Sequence, residues 1–115
     1  MSDRLYDLHQ LIELSDGNME FVMKMTKMFS DMVYEYKFET KEALGNKAYE
    51  TIGALSHKMK SSIDMMGIVS LKQDIRTLEK WDKEQISLEE IPALLEQVWE
   101  VLDRVCDQLK EDGKA

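Results

Sequence analysis

The chain has 115 residues, 43% hydrophobic and 33% charged, with a formal net charge of −8 at pH 7. That balance describes one folded domain over residues 1–115, neither disordered nor membrane-like, with uncharged apolar runs too short to cross a bilayer. The acidic excess argues against a nucleic-acid partner, because binding phosphates needs a basic footprint, and equally against an anionic membrane surface.

One proline and five glycines leave few places to interrupt a helix, and no period-2 alternation marks a strand. The helical period recurs instead. Arg4 to Leu14 reads as a short first helix with Leu5, Leu8, Leu11 and Ile12 on one face. Ser15-Asp16-Gly17-Asn18 is a turn in which Asp16 or Asn18 can cap the next helix. That helix is long, running from about Met19 to Leu44, with Phe21, Val22, Met25, Met28, Phe29, Met32, Val33 and Tyr36 on its apolar face. Gly45-Asn46 is its predicted stop. A third helix covers about Ala48 to Met66 and ends at Gly67. A fourth covers about Leu71 to Lys83, its inner seam formed by Leu71, Ile75, Leu78 and Trp81 or Asp82. Ser87-Leu88-Glu89-Glu90 is a capping box that opens a last helix along Ile91, Leu94, Leu95, Val98, Leu102, Val105 and Leu109. Glu111 to Ala115 is expected to fray.

These elements predict an all-α fold, an up-down-up-down four-helix bundle with a short additional N-terminal helix. No charged segment followed by an apolar stretch opens the chain, and its single cysteine, Cys106, fits a reducing cytoplasm. The initial Met and the polar tail favour a free-standing protein, with a monomer as the default. Met25, Met28, Met32, Met59 and Met66 fall on core stripes and read as packing, while Met23 and Met65 fall off them. His9 has no partner at metal-ligand spacing, no Glu-x-x-His pattern occurs, and no glycine-rich phosphate loop is present, so neither cofactor nor metal is expected.

One histidine stands apart. At ~100° per residue, Ile52, Leu55, Met59, Ile63 and Met66 share one side of the third helix and His57 points the other way. Around His57 on that outer face lie Gly53, Ala54, Lys60, Ser61 and Asp64, mostly small and including one cation, with Lys58 at its rim. An imidazole raised on such a low surface suits contact with another molecule.

The segment from Leu55 to Gly67 resembles the signature of the histidine-containing phosphotransfer (HPt) domain, the relay module of two-component signalling. Ser56 matches the small residue before the histidine, His57 the phosphorylated position, Lys60 the lysine, Ser62 the serine and Gly67 the distal glycine. Ser61 stands where glycine is most frequent and keeps that position small. The turn followed by Glu20-Phe21-Val22 and Met28-Phe29 looks like the family's second helix, and Leu78-Glu79 resembles its leucine-glutamate pair on the helix after the active histidine. The likeness covers nearly the whole chain.

The resemblance implies a phosphocarrier with no ATP site and no turnover of its own, exchanging a phosphoryl group with response-regulator receiver domains and with hybrid or other histidine kinases. Phosphoryl transfer asks a protein mainly for positioning and charge stabilisation, and an imidazole of ordinary pKa near ~6.5 is mostly neutral at pH 7. His57 would attack through Nε2 while Glu79 holds Nδ1–H, and Lys60 would stabilise phosphoryl charge. Gly53, Ala54, Lys58, Ser61 and Asp64 would meet the partner, with Leu11, Ile12, Phe21 and Met65 forming an apolar collar. Any Mg²⁺ would belong to the receiver. Ser62 turns toward the core stripe and reads as packing. The alternative is a non-catalytic helical-bundle interaction module that makes no use of His57.

Overall fold

Apolar residues spaced three and four apart fold into five helices in the computed structural model, which describes residues 4–84 and 86–114. These are α1 (His9–Leu14), α2 (Met19–Gly45), α3 (Tyr49–Met65), α4 (Lys72–Glu79) and α5 (Glu90–Glu111), with a single 3₁₀ turn at Val69–Leu71 before α4. No strand occurs among the described residues. α2 packs on α3, α3 on α4, α4 on α5 and α5 back on α2, so their apolar faces enclose one core. Leu95, Val98, Leu102, Val105 and Leu109 of α5 are fully buried, facing Val22, Phe29, Val33 and Tyr36 of α2 and Ile52, Met59 and Ile63 of α3 around that core. Phe21 and Met28, expected on the apolar face of α2, lie at its edge and are exposed.

Buried hydroxyls are paired with neighbours. Tyr36 and Ser56 share a hydrogen bond of 2.8 Å, and Thr40 Oγ1 donates to the Tyr36 carbonyl at 2.6 Å while accepting from Trp99 Nε1 at 2.9 Å. No buried side-chain polar atom lacks a partner among the described residues. Such pairing matters because an unsatisfied buried hydroxyl costs about 1–3 kcal/mol.

Helix ends share a recurring solution. α1, α2, α3 and α5 each close with a left-handed residue, respectively Asp16, Lys47, Gly67 and Gly113, followed by an amide that reaches back to the last turn. After α2 these bonds are Ala48 N–H to the Ala43 carbonyl at 2.8 Å and Lys47 N–H to the Leu44 carbonyl at 3.1 Å. α2 thus ends at Gly45 as expected, and the left-handed residue that follows is Lys47. At the start of α2 Asn18 is the cap, its side chain accepting from Phe21 N–H at 3.1 Å. Half of the predicted box opens α5, where Glu90 accepts the Ser87 N–H at 2.9 Å.

Three expectations are corrected. The first helix begins at His9 because residues 4–8 find partners elsewhere. Arg4 pairs with Glu111 and Asp112, Leu5 N–H donates to Gln108 Oε1, and Asp7 N–H donates to the Met66 carbonyl. The fourth helix stops at Glu79, and the chain turns so that Trp81 lies against Tyr49, ring centroids 5.9 Å apart. The C-terminal segment is held through residue 114, with Tyr6 bonded to Asp112 and Thr26 to the Lys114 carbonyl.

Gly67 sits where these constraints meet. Its φ is +63°, and a Cβ there would lie 2.4 Å from the carbonyl oxygen of Asp7 and 2.9 Å from its Cβ. Backbone strain and the steric clash act together. Gly67→Ala is expected to lower the unfolding free energy by about 2–4 kcal/mol, measured by urea denaturation; a loss below about 0.5 kcal/mol, the scale of an ordinary surface change, would contradict this assignment.

Candidate functional site

The outer face of α3 meets α4 at Gly53. That glycine is buried, and a Cβ on it would stand 3.1 Å from the Glu79 carbonyl, 3.5 Å from the Leu78 carbonyl and 3.5 Å from Trp81 Cδ1. A helix-interior glycine costs up to ~1 kcal/mol relative to alanine. Here its missing side chain admits the last turn of α4. The helices are locked again further along, where Arg76 grips Asp64 through two bonds, Nη1 to Oδ1 at 3.2 Å and Nη2 to Oδ2 at 2.6 Å. Arg76 holds the Asp64 carboxyl below the usual carboxylate range.

This packing carries Glu79 to the base of His57. The Glu79 side chain is only 12% exposed, whereas that of His57 is 66% exposed. Nδ1 of His57 is hydrogen-bonded to Glu79 Oε2. Lys60, one turn further along α3, donates from Nζ to Glu79 Oε1 at 2.9 Å and to Oε2 at 3.2 Å. The hydrogen bond from His57, then that from Lys60, holds the Glu79 carboxyl below its ordinary range, so it is an anion near neutral pH. A carboxylate only accepts hydrogen bonds, so Nδ1 carries a proton, and in the neutral ring the lone pair lies on Nε2. Nε2 has no hydrogen-bond partner among the described residues, and its ring stands in solvent.

The structure thus brings His57, Lys60 and Glu79 together around one carboxylate. Ala54, Lys58 and Ser61 are exposed on the same helix. Gly53 admits the last turn of α4 and also lines the concavity beside His57, and Asp64, its side chain 36% exposed, pairs with Arg76. Leu11, expected in the apolar collar, is buried at 2% exposure, while Phe21 is 42% exposed. Ser56 is fully buried against Tyr36, whose phenol burial pushes up to about 12. Ser62 lies against Met32, its hydroxyl 3.6 Å from the thioether sulfur. His9 is exposed beside Glu13.

Three contributors are not legible in the sequence. Trp81 and Glu50 help line a concavity of about 400 Å³ beside His57, and Arg76 fixes Asp64. The glycine in the middle of α3 is the available signal for a close helix contact. Among the described residues no group of three or more His, Cys, Asp or Glu side chains is arranged to hold a metal ion, and no helix is long and apolar enough to cross a membrane. Comparison of the chain with protein-family models, curated proteins and solved structures returns no match. A function is therefore read from the site's own chemistry.

Because the folded Glu79 pKa lies below its unfolded value, its contribution to stability is present above the unfolded carboxylate pKa, near ~4.3. That contribution is lost as pH falls through the folded value. The urea midpoint is expected to decline as pH drops below about 4.3, with a shallower decline in Glu79→Gln. Superimposable acid limbs for the two proteins would contradict the coupling of Glu79 to His57 and Lys60.

Proposed function

We propose that this chain is a histidine phosphocarrier of the HPt type, relaying a phosphoryl group between a receiver-domain aspartate, or a histidine kinase, and a response regulator. The observation that carries the reading is an exposed imidazole with one nitrogen anchored on a shielded carboxylate and the other open to solvent. We read α2 to α5 as an up-down-up-down four-helix bundle, with α1 covering one end. The sequence of neighbouring helix contacts supports this. A cytoplasmic location is part of the proposal and agrees with the free thiol of Cys106.

In the proposed reaction the lone pair of His57 Nε2 attacks the phosphorus of a receiver's aspartyl phosphate in line with the bond to the aspartate oxygen. The new N–P bond forms as that P–O bond breaks, and the aspartate leaves as a carboxylate. Nδ1–H stays on Glu79 throughout, so positive charge arising on the ring meets a fixed anion without movement of heavy atoms. Return transfer runs the same steps backward.

Lys60 has two parts in this scheme. Its bonds to Glu79 balance the carboxylate before transfer, and an ammonium has three donors, so one is left for a phosphoryl oxygen. A local cation also offsets the repulsion between a phosphoryl group and a chain of net charge −8. Exposed Lys58 adds to that local field, while Ala54 and Ser61 leave room around the ring for a receiver's acidic pocket. The carrier needs no metal of its own, because the divalent ion can travel with the receiver's carboxylates.

The test mixes the purified protein with a panel of phosphorylated receiver domains and looks for an acid-labile, base-stable phosphate on the chain. Wild type is expected to take up label, His57→Gln to take up none, and Lys60→Ala to do so about ten- to a hundred-fold more slowly. No adduct on the wild type, or equal labelling of His57→Gln, would overturn the reading.

A further inference from the structure

The outer face of α2 carries a feature that the His57 site does not use. Tyr34 and Phe38 are 74% and 61% exposed and lie one turn apart, on the side of α2 turned away from Val33, Tyr36 and Thr40. They belong to a longer stripe. Lys27, Asp31, Tyr34, Phe38, Lys41 and Gly45 are all exposed and alternate spacings of four and three, the seam spacing of paired helices. Scattered exposed apolar residues are ordinary; two adjacent aromatics centred in a seam of alternating charge are a pattern.

That pattern is complementary to itself. If a second α2 lies antiparallel along the seam, with the two-fold axis level with residue 36, Tyr34 falls opposite Phe38 of the second copy. Asp31 then falls opposite its Lys41, and Lys27 opposite its Gly45. A two-fold interface requires this reciprocity, in which each contact occurs twice. A parallel pairing would set Asp31 on Asp31 and Lys41 on Lys41, so the charges select the antiparallel arrangement. The groove between α2 and α5 runs along the seam, where Tyr34, Phe38 and Lys41 meet Val33 and Cys106 beside the charged side chains of Lys37, Asp103, Asp107 and Lys110.

We propose that the chain self-associates into a two-fold dimer through this face of α2. Each aromatic can bury ~150–250 Å², so four rings and their flanking side chains give on the order of 1,000 Å² in total, the lower end for a specific interface. An interface of that size is weak, and the dimer is accordingly reversible. His57 projects from α3 beside α4, away from this seam, so both copies keep an open site. The proposal does not depend on the phosphocarrier reading, and it replaces the monomer taken as the default from sequence.

Sedimentation velocity from about 10 μM to about 0.5 mM tests it, with far-UV circular dichroism confirming that each variant is folded. Wild type is expected to shift from monomer to dimer over that range, and Phe38→Ser to stay monomeric. Asp31→Lys and Lys41→Asp should each raise the dissociation constant about tenfold or more, since each sets like charges together twice. The double variant re-pairs opposite charges and is expected to recover dimerisation. A wild type that stays monomeric throughout, a dimer indifferent to Phe38→Ser, or a double variant no tighter than the single ones would each overturn the proposal.

Discussion

Gly53 has no side chain, and the Glu79 carbonyl lies 3.1 Å from where a Cβ would stand. That approach of α4 to α3 sets the position of every other group in the site. With α4 held at this distance, Glu79 reaches both His57 and Lys60 while remaining largely shielded from water. With the helices further apart, the same three residues would be separate surface charges of little consequence, since exposed pairs are worth only about 0–1 kcal/mol. The Asp64–Arg76 pair and the packing of Trp81 on Tyr49 secure the same contact on either side of Gly53.

The site's chemistry rests on an asymmetry of exposure. Its carboxylate is sheltered and doubly bonded, and the imidazole above it is open. Shelter makes Glu79 a fixed anion that selects one tautomer of the neutral ring, while openness leaves the second nitrogen in solvent. A histidine buried among core residues would be satisfied and inert, and one on a bare surface would have neither tautomer control nor a companion cation. Here both requirements are met by residues from two helices, with the buried Tyr36–Ser56 bond fixing the turn of α3 that carries the ring.

Much of the helical framework is legible in the sequence, because α2, α3 and α5 each carry a long apolar stripe that solvent exclusion alone can orient. The outward placement of His57 comes from the same periodicity. Residues 4–8 mislead because their apolar spacing is helical, yet their hydrogen bonds go to α5 and to the Met66 carbonyl, contacts that no local rule encodes. The left-handed Lys47 is equally hidden, since lysine carries no preference for that conformation, although α2 does end at Gly45-Asn46 as its sequence indicates. Glu79 lies 22 positions from His57, and no spacing connects them; it is legible only through a family resemblance. Gly53 reads as small, but its smallness proves to serve the neighbouring helix, and the inward turn of Lys60 onto Glu79 depends on that same packing.

We propose that Glu79, by holding Nδ1–H, makes Nε2 of His57 the nitrogen that takes the phosphoryl group. Nitrogen-15 and phosphorus-31 NMR of the phosphorylated, ring-labelled protein reports directly which nitrogen bears the phosphoryl group. Phosphorus is expected to couple to Nε2, with Nδ1 still protonated. Phosphorylation at Nδ1 would contradict it.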